Sequence, residues 1–181
     1  MTKAAIIYGG NSKQSRLKGI LDKAESYFKK ESIDTETIFV HDLPAEDLIL
    51  ANFNSEPILK VNKIVEEADI VVVLTPVYKA AYTGILKTYL DLLPQKGLEG
   101  KTVLPLVLGG SFGHLLAIDY ALKPVLSALG ATNILSGVYV LDTQVEKTED
   151  LEYVLAPEIS ERLDRVLALS KEEASRYLAL K

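Results

Sequence analysis

The most constraining stretch of this chain is the run DIVVVL at residues 69–74, followed by TPVYKAAYTGILKTYLDLLP at 75–94. Ile70, Val71, Val72 and Val73 are all β-branched, and nothing polar interrupts them before Thr75. Such a run suits a strand buried on both faces, as in the middle of a parallel sheet. Pro76 lacks the N–H that a ladder needs, so the strand is expected to end there. Beyond it Tyr82, Ile85, Leu86, Tyr89, Leu90 and Leu93 recur at steps of three and four, the pattern of an amphipathic helix, which Pro94 stops. The loop 76–81 therefore falls at the carboxyl end of a central strand, where open α/β sheets put their ligands. Its tyrosine and its run of backbone N–H groups point to a flat, aromatic ligand.

Strands and helices alternate around this centre. Residues 3–8 (KAAIIY) form a short apolar strand broken by Gly9-Gly10, and a helical pattern over 16–30 runs through Leu17, Ile20, Leu21, Ala24 and Phe28. Residues 34–40 (DTETIFV) alternate polar and apolar, as suits a strand nearer the sheet edge. The acidic stretch 41–55 reads as irregular, 56–67 as a helix, and 102–108 (TVLPLVL) as a fourth strand with Pro105 awkwardly inside it. A helix over 114–129, a fifth strand over 131–141 and a long helix over 157–180 complete the chain. Five such alternations imply right-handed crossovers and a parallel sheet. The expected fold class is α/β: a flavodoxin-like three-layer sandwich with a five-stranded parallel sheet in the order 2-1-3-4-5.

Composition narrows the chemistry. The 181 residues fit one domain over 1–181, with a core that needs no disulfide or metal. A formal net charge of −5 argues against a nucleic-acid or anionic-membrane surface. The absence of cysteine removes disulfides, iron–sulfur clusters and thiol nucleophiles together, and two histidines leave little for a metal centre. No apolar run approaches a membrane span, and no signal-peptide pattern precedes the first strand, so the expected location is cytoplasmic.

In the expected topology three loops meet at one edge: 9–15, 76–81 and 109–114. The first, with Gly9, Gly10, Asn11, Ser12, Lys13, Ser15 and Arg16, feeds a helix. Its hydroxyls, the Asn11 amide, two cations and free helix N–H groups suit an anion such as a phosphate. The plainer reading is a helix start with a glycine turn. It is neither a Walker A loop nor a GxGxxG fingerprint.

The third loop, Gly109-Gly110-Ser111-Phe112-Gly113, matches the GxSxG nucleophile elbow. That reading needs a histidine further along the chain, and none follows His114. A glycine-rich turn offering N–H groups to the edge of a bound ring is the better account. His114 either polarises a ligand or caps a helix start, and His41 reads as structural. Lys87 and Asp91 read as an exposed ion pair, and the acidic residues between 146 and 173 as a solvated face.

Residues 75–94 together with LPLVLGGSFGHLLAIDYALKPVLSALGA at 104–131 resemble the NADPH-dependent FMN reductases of flavodoxin-like fold. Within them the chain is most similar to the flavin reductases of two-component alkanesulfonate monooxygenase systems. By position, Gly9, Ser15 and Arg16 match that family's phosphate loop. Pro76, Val77, Tyr78 and Lys79 match the loop beside the isoalloxazine ring, and Gly109, Gly110 and Ser111 the loop at its pyrimidine edge. The family's phosphate loop opens on glycine-serine with an arginine close behind, whereas this chain has Gly9-Gly10-Asn11-Ser12-Lys13, so Ser12 and Lys13 stand in.

The resemblance implies that NADPH reduces FMN, with reduced FMN released to a partner monooxygenase. The alternatives of similar fold are a quinone or azo-dye reductase with retained flavin, and a flavodoxin-type electron carrier. Pro124, inside the expected helix 114–129, cannot donate to the Tyr120 carbonyl. Either the helix kinks or the Val125 N–H reaches back five residues in a π-type bond. The resemblance implies the latter, in a helix packed between subunits of a dimer or tetramer, with Tyr120 at the interface.

Overall fold

The computed structural model describes residues 2–150 and 152–179. In chain order the strands and helices are β1 (Lys3–Tyr8), α1 (Leu17–Lys30), β2 (Asp34–Phe39), α2 (Ala45–Ile49), α3 (Glu56–Glu67), β3 (Ile70–Tyr78), β4 (Ala81–Tyr82) and α4 (Gly84–Leu90). They continue with β5 (Thr102–Gly109), α5 (Lys123–Ala128), β6 (Asn133–Ile134), β7 (Val138–Leu141), β8 (Val145–Lys147), β9 (Tyr153–Leu155) and α6 (Pro157–Ala179). The main sheet runs β2-β1-β3-β5-β6, with β7 also beside β5. Counted as five parallel positions, the order is the expected 2-1-3-4-5.

Side chains alternate across each strand, so both faces of the sheet are lined with apolar groups. Ile6, Val72, Leu74 and Leu106 pack with α1 and α6 residues such as Phe28 and Leu163. Ile7, Val71, Val73 and Val107 face the other way, against Ile58, Leu86 and Leu126. Burying each aliphatic side chain stabilises by about 1.5–3 kcal/mol, so these two apolar faces together hold the three layers more strongly than any single polar contact does. Among the described residues no helix is long and apolar enough to cross a membrane.

The details correct several expectations. The stretch 41–55 is not wholly irregular: Val40–Asp42 forms a 3-10 turn and α2 follows. The last residue of the expected terminal helix, Leu180, lies outside the described residues. A two-stranded antiparallel pair, β8-β9, was not foreseen. Nor was β4, which folds back antiparallel on the end of β3.

Pro76 does not end β3, which runs on to Tyr78 and pairs Pro76 with Leu108. The Gly9 N–H donates to the Leu74 carbonyl at 2.7 Å, so Leu74 turns its backbone groups toward β1. Successive residues of a strand face opposite neighbours, so Pro76 also faces that way, beyond the last β1 residue. No partner there asks for the missing N–H.

Pro105 acts differently. The Val103 carbonyl accepts from Leu135 N–H at 2.9 Å, which turns Val103, and hence Pro105, toward the last strand. That strand breaks where Pro105 cannot donate, so the single fifth strand expected over 131–141 is split into β6 and β7. Val103 pairs with Ile134 and Leu106 with Val138, so one extra residue bulges between. Gly137 sits in the bulge at φ +78, where an added Cβ would lie 2.4 Å from the Pro105 carbonyl oxygen. Gly137→Ala should therefore destabilise the protein by about 2 kcal/mol or more, the combined effect of left-handed strain and overpacking. Urea unfolding monitored by far-UV circular dichroism measures it, and a variant within experimental error of the parent would contradict the assignment.

Candidate functional site

The carboxyl ends of β1, β3, β5 and β7 gather the three loops expected to meet. Tyr8, fully buried at the end of β1, is the floor of the first. Its hydroxyl donates to the Ser12 carbonyl at 2.8 Å and lies 3.0 Å from Ser15 Oγ. Burial pushes the Tyr8 hydroxyl pKa up, so it stays a neutral donor. Gly9 and Gly10 are required by packing: a Cβ would fall 2.7 Å from Leu86 Cβ at the first and 2.6 Å from the Tyr8 ring at the second. The loop then enters α1 with no side chain capping its first turn; the Lys18 and Gly19 N–H groups donate instead to the Ser15 and Arg16 carbonyls at 2.9 and 3.1 Å.

The two cations of this loop are placed differently. Arg16 is exposed and its Nε donates to the Val145 carbonyl at 3.0 Å, which leaves the terminal guanidinium nitrogens for a ligand. Lys13 pairs with Asp42 at 2.5 Å and lies 4.2 Å over the Phe39 ring. Its hydrogen bond holds the Asp42 carboxyl below the usual range. Ser12 Oγ accepts from the Gln14 N–H, while the Asn11 amide oxygen accepts from Tyr78 at 3.4 Å, so the first two loops touch.

The second loop is tighter than the 76–81 loop expected. Val77 pairs with Tyr82 and Tyr78 with Ala81, leaving Lys79 and Ala80 as a two-residue tip. Both tip residues have positive φ, +51 and +66, as a primed hairpin turn demands. Neither is glycine, so the turn holds left-handed strain of about 1–2 kcal/mol per residue. Tyr78 stands half-exposed beside it. Thr83 anchors the base of the hairpin. Its Oγ1 donates to the Gly9 carbonyl at 2.6 Å and accepts the Leu86 N–H, and its own N–H reaches Thr75 Oγ1.

In the third loop, Ser111 is not a nucleophile at a strained elbow. Its backbone is extended, at φ −153, and its Oγ accepts the Gly113 N–H at 3.1 Å. The Tyr139 hydroxyl holds the Ser111 carbonyl at 2.7 Å, and it fits only because Gly109 has no side chain: a Cβ there would lie 1.8 Å from that oxygen. Burial, followed by the charge of Asp142, pushes the Tyr139 hydroxyl pKa up. Gly110, Ser111 and His114 are exposed, and the His114 imidazole has no hydrogen-bond partner among the described residues.

The helix expected over 114–129 is broken into pieces. Phe112–His114 is a 3-10 turn, Ile118–Leu122 is π-helical, and α5 follows. The Lys123 N–H reaches the Ile118 carbonyl five residues back, earlier than the expected bond to Tyr120. Tyr120 is 79% exposed on this chain.

Sequence reasoning missed Tyr8, Thr83 and Tyr139 as supports and read His41 as structural. The imidazole Nδ1 of His41 in fact lies 2.8 Å from the Gly10 carbonyl. Only the chain positions of Tyr8 and His41, at the ends of adjacent strands, hinted at such roles. A cleft of about 590 Å³ lies at the opposite end of the sheet, partly lined by Asn62, Leu93 and Lys101. There Lys101 Nζ donates to the Glu66 and Ala68 carbonyls at 2.8 and 2.7 Å, tying down the end of α3.

A family model described as NADPH-dependent FMN reductase matches residues 2–146. The chain belongs to this family. An FMN reductase (NADPH) of Pseudomonas putida is 46% identical over 143 residues, 79% of this chain and 73% of the relative. One of Escherichia coli K12 is 45% identical over 159 residues, 84% and 80% of the two chains. Among solved structures, an NADH:FMN oxidoreductase in its apo form superposes with a TM-score of 0.85 at 29% identity, covering 96% of this chain and 90% of that one. As an FMN reductase family member the chain is an oxidoreductase of flavodoxin-like fold.

The strained tip yields a test. Ala80→Gly should raise stability by about 0.5–1 kcal/mol, because relief of left-handed strain exceeds the added entropy of the unfolded chain. A lower midpoint in urea would show that the tip is not held in this conformation.

Proposed function

We propose that the chain, acting as a single domain over 1–181, catalyses the NADPH-dependent reduction of FMN and releases reduced FMN to a separate flavin-dependent monooxygenase of the alkanesulfonate type. The observation that carries this reading is the juxtaposition of an anion-ready first loop, an exposed Tyr78 and a glycine turn at one sheet edge. An added Cβ at Gly110 or Gly113 would meet only ordinary contacts, Asp142 Oδ2 at 3.6 Å and Ser111 Oγ at 3.4 Å, so packing within the chain does not demand either glycine. A planar ring can approach such a backbone closely. NADPH is favoured over NADH by the names of the 45–46% identical relatives, and the cysteine-free composition is consistent with a cytoplasmic location.

When bound, the two cofactors supply the chemistry, a hydride passing from the nicotinamide to N5 of the flavin. The protein binds and orients. The Ser12 and Ser15 hydroxyls and the Arg16 guanidinium take the phosphate, at the N-terminal end of α1 where the helix dipole favours an anion. Lys13 adds positive charge from its place beside Asp42. Pro76, Val77, Tyr78 and Lys79 shape the wall beside the ring. The N–H groups of Gly110 and Ser111 stabilise negative charge at the pyrimidine edge, and His114 borders it.

Release fits a phosphate loop that lacks the glycine-serine and arginine opening of its family and reads Gly9-Gly10-Asn11-Ser12-Lys13 instead. Steady-state NADPH oxidation with purified protein should depend saturably on added FMN. Dependence on a quinone at fixed, retained flavin would favour a reductase that keeps its flavin, and no turnover an electron carrier. Arg16→Ala should weaken FMN binding by about 1–3 kcal/mol, the range of a charge-assisted hydrogen bond, and leave riboflavin much less affected. Equal losses for both flavins would remove the phosphate role.

The same reading includes a homo-oligomer, a dimer or a tetramer. Phe112, Leu116 and Tyr120, exposed by 64, 59 and 79%, line the segment that contains the π-helical turn. Light scattering at micromolar concentration should report more than one chain, and Tyr120→Ala should alter flavin retention. A monomer would overturn the interface.

A further inference from the structure

We infer that Tyr8, His41 and Thr83 are positioning residues that set the peptide planes of the first loop for the flavin phosphate. The inference rests on the reading that this loop takes that phosphate. It starts from a conflict within the loop. Packing forbids a side chain at Gly9 and at Gly10, because Leu86 and the Tyr8 ring already fill the places of their Cβ atoms. Glycines on both sides leave the peptide between them with little steric preference of its own. Its orientation has to come from elsewhere.

Three side chains from three parts of the fold supply it. Thr83 Oγ1 donates to the Gly9 carbonyl at 2.6 Å, in a buried contact across 74 residues of sequence. His41 Nδ1 contacts the Gly10 carbonyl at 2.8 Å, and since a carbonyl only accepts, that nitrogen carries the proton. The Tyr8 hydroxyl donates to the Ser12 carbonyl at 2.8 Å. In a trans peptide the C=O of one residue and the N–H of the next point in opposite directions, and the described chain has no cis bond. Drawing these carbonyls onto the protein therefore turns the N–H groups of Gly10, Asn11 and Lys13 away from those donors, toward the sheet edge. Successive N–H groups so directed form an anion-binding concavity.

The imidazole is itself held in place. Its ring lies 5.9 Å from Tyr8 and 5.8 Å from Phe39, edge-on to both, and its Nε2 is 3.5 Å from Asp42. Asp42 also takes Lys13. One carboxylate thus steadies both the imidazole behind the loop and the ammonium beside it.

The test measures equilibrium binding of FMN and of riboflavin by flavin fluorescence, with kcat at saturating FMN as a second readout. Tyr8→Phe and His41→Phe keep an aromatic ring and remove the donor, the first together with the Ser15 Oγ contact and the second together with the Nε2 contact to Asp42. Each should raise the Kd for FMN about fivefold to tenfold, the loss expected for a weakened hydrogen bond to a charged group. The Kd for riboflavin should stay within about twofold and kcat should hold, because the ring loops are untouched. His41→Asn, which can place an amide donor near Nδ1, should recover most of the FMN affinity, and Thr83→Ser should bind like the parent.

An unchanged FMN Kd in both Phe variants would overturn the inference, as would equal losses for the two flavins. Should one Phe variant fail to fold, the other and His41→Asn decide. Parent protein that binds FMN no more tightly than riboflavin would instead overturn the phosphate reading itself.

Discussion

The rung between Gly9 N–H and the Leu74 carbonyl is the last that β1 makes with β3, and the candidate site depends on it. Beyond that rung β3 runs on from Thr75 to Tyr78 without β1: β5 pairs with it as far as Pro76, and β4 with Val77 and Tyr78. The crevice is this difference in strand length. Because the overhang is strand rather than loop, Tyr78 stands at a fixed height above the first loop, and β4 braces it from beyond. A ligand placed here meets backbone whose direction the sheet has already set.

Much of the fold was legible in the sequence because burial and periodicity agree. Residues 3–8, 34–39, 56–67 and 70–74 form the elements their apolar patterns predict, and the strand order follows from right-handed crossovers. The two prolines were harder. A missing N–H matters only on the side where a partner would have accepted from it, and sequence does not say which way a residue faces. Pro76 faces past the end of β1 and does no harm, whereas Pro105 faces the last strand and breaks it.

The candidate site was legible as a set of loops but not as a network. Glycine-rich turns after strands stand out in a sequence, and Gly9, Gly109 and Tyr78 were identified that way. The groups that fix those turns come from far along the chain. Gly109 and Tyr139 show why: an absent side chain and a hydroxyl thirty residues later occupy one space. Neither residue alone signals the other. The family resemblance named the phosphate loop by position, yet Lys13 turns to Asp42, a pairing no local pattern contains.

The break opposite Pro105 also bears on how copies of this chain can meet. An open sheet has two edges, each a row of backbone groups onto which another chain's strand could add. Here one edge is cut into β6 and β7 by the bulge at Gly137, so no continuous ladder is on offer. The other, β2, exposes Asp34 and Glu36 along its length, and matching copies would bring like charges together. Sheet-to-sheet extension, and the fibrous aggregation that follows from it, is disfavoured at both ends. Association is left to the helical faces, where contact can close on itself and stop.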